Sequence, residues 1–368
     1  MAKPAPGMRL LRSLTRAAKT QQKLVSRLLA ASKPKAQPKP KRPAAALRSP
    51  AALELRKHER KETPSAPGKW LAAHIALPQS PGQAPGRRLA YWLYLPDRPA
   101  PARGWPLIVM LHGCHQSATQ FAQGTRMNLV AEHKGYAVLY PQQLASAQAQ
   151  RCWRWYDAAT QQGGGDTALL AGLVAKVCTQ YGVDMRRVYA CGLSAGAGMA
   201  AVLALNHPEL IAAVGLHSGP VFGAGHTPAG ALQVMRHGAL AHADAIHGVL
   251  RSRTRFPAMP ALLIQGEEDH VVRPVNQQQL TRQWLLLNGL PLSSRATLTS
   301  KEATRSGSRH AHTVRDYASD RKVLLRVASI AGLGHAWSGG DPDVPFHAAP
   351  GPDASRMMAA FFALHRRW

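Results

Sequence analysis

From residue 89 onward, short apolar runs alternate with longer segments of helical spacing, and that alternation sets the expected architecture. Residues 89–95 (LAYWLYL) read as a strand. Residues 106–111 (PLIVML) are apolar without alternation, the mark of a strand covered on both faces. Helical spacing over 117–134, a strand over 136–140 and a helix over 166–181 follow, with Asp166 as the expected N-cap. Next come a short strand at 188–191, a helix of small residues ending before His207-Pro208, and a strand at 211–216. After Gly219 the rhythm breaks: 228–250 reads helical and 251–255 is a charged loop. It then resumes with a strand at 261–265, a helix at 273–288, a last strand at 322–330 and a closing helix at 352–365. Strands alternating with helices predict an α/β fold, a mostly parallel central sheet with helices on both faces. The interruption over 220–260 follows a strand, where an inserted segment is placed to form a small helical cap.

Residues 8–32 follow a different rule. At about 100° per residue, Arg9, Arg12, Arg16, Lys19, Lys23 and Arg27 share one stripe, with Leu10, Leu11, Leu14, Leu24, Val25, Leu28 and Leu29 opposite. A basic amphipathic helix of this kind lies at an apolar–aqueous interface. Two other readings stand beside it: a short coiled coil through Leu11, Leu14, Ala18, Gln21, Val25 and Leu28, and docking on the protein's own folded domain. Residues 33–50 form a Lys/Pro/Ala tract that reads as a linker, and 51–61 as a brief helix. The expected organisation is a basic extension over 1–65 and an α/β domain over 66–368.

Charge gives that extension a meaning. The 368-residue chain has 46 Lys/Arg against 19 Asp/Glu, a net +27, and residues 1–62 contribute 17 basic and three acidic positions. Over half of the excess therefore sits in the extension. An anionic partner is expected there, a polyester granule or an anionic membrane surface, with nucleic acid less favoured. No run of about 18 apolar residues is present to span a membrane. The basic residues interrupt any apolar core of a secretory leader, so a cytoplasmic location, with reduced cysteines, is the default expectation. The four cysteines lack C-x-x-C spacing, and no H-E-x-x-H, Walker A or dinucleotide glycine fingerprint occurs, so no metal or nucleotide cofactor is expected.

The chemistry centres on Gly192-Leu193-Ser194-Ala195-Gly196, a G-x-S-x-G between a strand and a helix of small residues. In that context the serine stands on a turn so sharp that side chains two positions away on either side would collide. A serine hydroxyl needs a base to take its proton and a carboxylate to orient the base. Following the chain order Ser, acid, His, the strand at 261–265 leads into Glu267, Glu268 and Asp269. Asp269, just past the strand end, is the preferred acid, with the two glutamates as alternatives. Among 17 histidines, His335 is the one in a glycine-rich loop after the last strand. The oxyanion would be met by the Ala195 N–H and by a donor in the loop after 106–111, where His112-Gly113-Cys114-His115-Gln116 makes Cys114 the candidate. His112 reads as a structural hydrogen-bonder rather than a second base.

Taken together, His112-Gly113-Cys114-x-Gln116, Cys152-Trp153-x-Trp155, the Ser194 elbow, Gly266-x-x-Asp269 and Gly334-His335-x-Trp337 resemble the polyhydroxybutyrate depolymerase family of esterases. These are α/β-hydrolases also similar to feruloyl and acetylxylan esterases. The resemblance runs from about residue 71 to the C-terminus. It implies a serine esterase with Ser194, Asp269 and His335 as its triad, acting on short-chain polyesters or on acyl groups of larger carriers. His112, Gly113, Gln116, Trp153, Trp155 and Trp337 are then the candidates to line the substrate site. The tryptophans could equally be simple packing. Cys114 and Cys152, both in loops at the site end of the sheet, would either form a bridge or remain two buried thiols, whereas Cys178 and Cys191 read as core. Because family members are often secreted, the resemblance sets an extracellular location beside the cytoplasmic default. Two rivals stand: a catalytically dead fold that binds granules or nucleic acid through its basic arm, and a peptidase.

Overall fold

Strand β3 (Trp105–Leu111) is buried at all seven positions, as an unalternating apolar run requires when both faces are covered. Leu107, Val109 and Leu111 enter one apolar cluster, and Ile108 and Met110 enter the other. The structure, a computed structural model, describes residues 66–76 and 88–367. All of these belong to Lys61–Trp368, the second of two units into which the chain divides. The helix expected at 8–32, the linker at 33–50 and the brief helix at 51–61 lie outside the described residues.

Nine further strands join β3 in one sheet: β1 (Lys69–Ala76), β2 (Arg88–Leu95), β4 (Ala137–Gln142), β5 (Val183–Leu193), β6 (Ala213–His217), β7 (Ala261–Gly266), β8 (Thr297–Lys301), β9 (His312–Ser319) and β10 (Lys322–Ile330). Their order is β1-β2-β4-β3-β5-β6-β7-β10-β9-β8. The central strands from β4 to β10 pair in parallel, and both flanks are antiparallel. Helices α1 (Ala118–Thr125), α2 (Met127–Lys134) and α9 (Ala354–Phe362) place Phe121, Ala131 and Phe362 on one face. After the four-residue α3 (Ala158–Gln161), helices α4 (Gly165–Gln180), α5 (Ala195–Asn206) and α8 (Val275–Leu287) place Leu173, Val202 and Trp284 on the other. From β3 the chain passes to β4 on one side and then to β5 on the opposite side. That reversal opens a crevice beyond the carboxyl ends of β3 and β5, the place where open α/β sheets seat ligands.

Three local expectations are corrected. The helix expected over 117–134 is two helices, because Arg126 adopts φ +53°. The carbonyls that would continue it are taken elsewhere: Gly124 by the Asp341 N–H at 2.8 Å, and Thr125 by the Ser355 hydroxyl at 2.7 Å. Asp166 is not the N-cap of α4, a position held by Gly164. It is buried in the first turn, accepting the Gln143 side-chain amide at 2.7 Å and the Arg154 N–H at 3.1 Å. The helix expected over 228–250 breaks at Gly238 (φ +70°) into α6 (Pro228–His237) and α7 (His242–Arg251). This insertion packs against α8, where Asn276 donates to Met235 O at 2.8 Å and Gln279 accepts the Ala239 N–H at 2.8 Å.

Candidate active site

The elbow is built by crowding. β5 ends at Leu193 and α5 begins at Ala195, so Ser194 alone makes the turn, at φ +58° and ψ −121°. A backbone so placed costs about 1–3 kcal/mol and holds only where neighbours impose it. Here the Ser194 N–H donates to His217 O at 2.9 Å, and the Gly198 N–H to Ser194 O at 3.0 Å. A Cβ at Gly192 would lie 2.4 Å from Leu111 O, and one at Gly196 only 1.9 Å from the same atom. Both glycines are therefore needed for β3 and the elbow to approach each other.

The acid and the base meet. Asp269, just past β7, is buried, and its Oδ2 accepts His335 Nδ1–H at 2.8 Å. The same oxygen accepts the Gln265 amide at 3.1 Å, while Oδ1 accepts the Val271 and Val272 N–H groups, each at 2.9 Å. Burial alone would raise the Asp269 pKa. The His335 charge and hydrogen bond, with the Val272 N–H, outweigh it and hold the carboxyl below its usual range. The acid and base loops are joined through their backbones: the Glu268 N–H donates to Leu333 O at 3.1 Å and the Glu267 N–H to Ile330 O at 2.9 Å. Of the three carboxylates beyond β7, only Asp269 turns inward; Glu267 and Glu268 are exposed. Among the described residues no hydrogen bond joins the Ser194 hydroxyl to His335.

The loop after β3 lies beside the serine, since a Cβ on Gly113 would stand 3.6 Å from Ser194 Cβ. Ala195 is the first residue of α5, so its N–H has no acceptor within the helix, and Cys114 follows Gly113 in the adjacent loop. Two side chains brace the loop. Gln116 accepts the Gly113 N–H at 2.8 Å and donates to Pro345 O at 3.3 Å. His112 donates from Nδ1 to Gly113 O at 2.8 Å and accepts the Gln143 N–H at Nε2, 3.1 Å away. Burial pushes its pKa down to about 4, opposed by the Gly113 carbonyl. It is a neutral strut. A disulfide joins Cys114 to Cys152, and Cys178 and Cys191 are buried thiols.

The tryptophans are placed differently from the acyl-binding wall offered as one reading. Trp153, Trp155 and Trp337 are 1%, 3% and 0% exposed, so protein covers them. Trp337 donates to Ser355 Oγ at 3.2 Å and stacks on His217 at 5.3 Å; Trp155 packs against Gly198, and Trp153 lies 5.5 Å from the His112 ring. They frame the loops that carry the polar groups. Gln116 and His112 likewise hold the loop from beneath. The sequence reading missed Gln265, His217 and Ser218. The one available signal was position, since His217-Ser218 ends the strand next to the elbow strand.

This topology, with a serine elbow after β5 and an Asp–His pair after β7 and β10, defines an α/β-hydrolase. A solved structure agrees in fold: acetyl xylan esterase from Aspergillus awamori superposes with a TM-score of 0.60 at 19% identity, covering 80% of this chain and 99% of that one. The chain belongs to the PHB depolymerase esterase family, whose model (Esterase PHB depolymerase) matches residues 89–307. Poly(3-hydroxyalkanoate) depolymerase C of Paucimonas lemoignei is 29% identical over 190 residues, 50% of this chain and 45% of that protein. Poly(3-hydroxybutyrate) depolymerase of Ralstonia pickettii is 28% identical over 249 residues, 64% of this chain and 48% of that protein. Feruloyl esterase B of Thermothelomyces thermophilus is 30% identical over 200 residues, 51% and 67% of the two chains. The chain thus spans about half the length of the two depolymerases.

Proposed function

We propose that this protein is a serine esterase that cleaves carboxylic esters through an acyl-enzyme on Ser194. The observation that carries the reading is the buried Asp269–His335 hydrogen bond at 2.8 Å, set beyond the same sheet edge as the Ser194 elbow. As the ester seats, His335 Nε2 closes on the Ser194 hydroxyl, a contact that tightens in the substrate complex. His335 takes the proton, Ser194 Oγ bonds the carbonyl carbon, and the oxyanion is received by the Cys114 and Ala195 N–H groups. His335 then gives the proton to the departing alkoxide as the C–O bond breaks. Water, deprotonated by His335, repeats the sequence and frees the acid. Asp269 stays ionised throughout and fixes the imidazole with its proton on Nδ1.

The substrates we assign are short-chain hydroxyalkanoate esters or oligomers, supported by the names of the two depolymerase relatives. Acylated carbohydrate is the alternative, supported by the feruloyl esterase relative. The Cys114–Cys152 disulfide favours the extracellular over the cytoplasmic location, because such bonds persist in oxidising compartments. Hydrolysis of short p-nitrophenyl esters, amorphous polyhydroxybutyrate and feruloylated or acetylated sugars by purified protein tests both levels. Ser194→Ala should lower ester turnover by at least about 10³-fold, and a Ser194→Ala protein as active as wild type would end the assignment.

A further inference from the structure

The charge outside the extension is not spread evenly over the folded domain. Because β4, β3, β5, β6, β7 and β10 run parallel, their amino ends lie along one edge of the sheet, opposite the Ser194 end. The segments at that edge, residues 96–104, 132–136, 181–187, 207–212, 251–260, 320–322 and 363–367, carry twelve Lys/Arg against five Asp/Glu. The loops leaving the carboxyl ends, 112–117, 143–157, 218–227, 267–274 and 331–353, carry three against seven. The domain is polarised along its strands, basic where the chain enters them and acidic around the site.

Contacts among these segments join them into one face. The Arg367 N–H donates to Arg186 O at 2.9 Å and Arg186 Nε to Arg367 O at 3.0 Å, which seats residues 363–367 beside the start of β5. Arg253 donates to Asn206 O, at the end of α5, at 2.6 Å and meets Glu209 at 3.7 Å. Arg98 donates to the Glu132 carbonyl and Arg367 to that of Met185. Carbonyls hold Arg98, Arg186 and Arg367 in place without cancelling their charge. Six parallel strands about 4.8 Å apart make the face roughly 24 Å wide. Amid the cations, Met185 and Leu364 stand 45% and 60% exposed. Residues 66–69, by which the preceding chain joins the domain, lie at the same edge. Lys69 pairs with Leu95, the last residue of β2, and β2 runs antiparallel to β4.

We propose that this face docks on an anionic lipid surface, its Lys and Arg side chains among the headgroups and Met185 and Leu364 reaching toward the acyl boundary. Cations around exposed apolar side chains on a broad face suit a bilayer. Nucleic-acid phosphates would use the cations and leave the two apolar side chains idle. The extension, with 17 basic and three acidic positions over residues 1–62, is joined at this edge. Arm and face therefore engage one surface together, each raising the effective concentration of the other. The face orients what the arm tethers, and alone it is the weaker of the two. Docked in this way, the domain turns its acidic Ser194 end to the solution and acts on soluble esters. That orientation, though not the docking, rests on the reading of Ser194 as the nucleophile.

The test is sedimentation of the full chain with vesicles of phosphatidylcholine and phosphatidylserine, and of phosphatidylcholine alone. Arg255→Gln, Arg321→Gln and Arg366→Gln together remove three exposed charges from the face. Arg88→Gln, Arg305→Gln and Arg315→Gln remove three exposed charges elsewhere. The face variant should bind the anionic vesicles about 10²-fold more weakly than wild type, roughly fivefold per cation, and the control variant as wild type does. Met185→Gln with Leu364→Gln should weaken the same binding about tenfold and leave retention on duplex DNA unchanged. Inorganic phosphate should displace the protein no better than chloride at equal ionic strength. Turnover of a soluble p-nitrophenyl ester should stay at the wild-type level in every variant, which also reports folding. Should the triple face variant not fold, Arg366→Gln alone, about fivefold weaker, carries the charge arm. Equal binding by the face and control variants would overturn the proposal, and so would wild-type binding by the Met185/Leu364 variant. Tighter retention on duplex DNA than on anionic vesicles, or displacement by phosphate in particular, would overturn it too. A Ser194→Ala protein that stays active while sedimenting normally defeats the esterase reading alone. An active protein whose face variant sediments as wild type defeats the docking face alone.

Discussion

The Cys114–Cys152 disulfide closes a loop with a sequence separation of 38 and anchors Cys114, the residue whose N–H we assign to the oxyanion. Replacing Cys152 with serine should therefore cost stability and turnover together. For the chain-entropy part, a loop of this length gives roughly 13 cal/mol/K, or about 3.9 kcal/mol near room temperature. At about 2–4 °C per kcal/mol for a domain of this size, that corresponds to a drop of roughly 8–15 °C in melting temperature. For the catalytic part, removing one oxyanion donor outright costs about 10²–10³ in kcat. The bond is not the sole anchor of the loop, however. The His115 N–H still donates to Gln150 O at 2.7 Å, Gln116 still holds the Gly113 N–H, and His112 still holds the Gly113 carbonyl. The loop loosens rather than leaves, so a fall of about tenfold in kcat is expected, with KM little changed because the donor acts mainly on the transition state.

Thermal melts and steady-state kinetics on a p-nitrophenyl ester measure both quantities on the same sample. Cys114→Ser, Cys152→Ser and the double variant should behave alike, since each removes the same bond and the effects of partners in one interaction do not add. A Cys152→Ser protein melting within about 1 °C of wild type with unchanged kcat would refute the reasoning, because neither the loop constraint nor the donor placement would depend on the bond.

Three further predictions follow from geometry, buried charge and the basic arm. Gly196→Ala should give little or no folded protein, because its Cβ would lie 1.9 Å from Leu111 O and 2.7 Å from His112 O, both backbone atoms; soluble yield and circular dichroism read this, and a folded, active Gly196→Ala would contradict it. His112, His347 and His365 are pushed down to about 4 and His217 to about 3, in each case first by burial. Their folded values lie below the ordinary histidine value, so the unfolded state binds more protons and stability is lost as pH falls from about 6.5 toward 4; with all four acting the slope approaches about 5 kcal/mol per pH unit. Urea midpoints between pH 7 and 5 measure it, and a flat midpoint would count against the neutral, buried assignment. Deleting residues 1–62, with their 17 basic and three acidic positions, should abolish co-sedimentation with polyester granules or anionic vesicles yet spare soluble-ester turnover. Unchanged sedimentation would remove the arm from that role.

What could be read from the sequence divides along a physical line. β3 and β7 were legible because a strand covered on both faces has to be apolar throughout, and residues 106–111 and 261–265 are. β8 was not: its five residues, TLTSK, are all exposed at the sheet edge and have no apolar alternation to betray them. β1 and β9 are likewise half-exposed flanking strands with mixed patterns. The break at Arg126 was illegible for another reason, since the groups that capture the Gly124 and Thr125 carbonyls come from Asp341 and Ser355, more than 200 positions away.

The same division runs through the candidate site, where the aromatic motif residues left a substrate wall and simple packing as equal readings. Ser194, Asp269 and His335 were legible because their chemistry requires those residue types in that order on loops after consecutive strands. Trp153, Trp155 and Trp337 were equally visible as letters, but position in a motif does not separate a residue that meets substrate from one that holds a loop. Burial separates them: Trp337 spends its N–H on Ser355 and its face on His217, and the His217 carbonyl accepts the Ser194 N–H. The tryptophan after the histidine in Gly334-His335-x-Trp337 therefore bears on the elbow, packed against the residue that holds the Ser194 backbone. Trp337→Leu, which removes the buried ring and its N–H, should accordingly lower the melting temperature, and should leave unchanged the selectivity among acyl chains that a substrate wall would control.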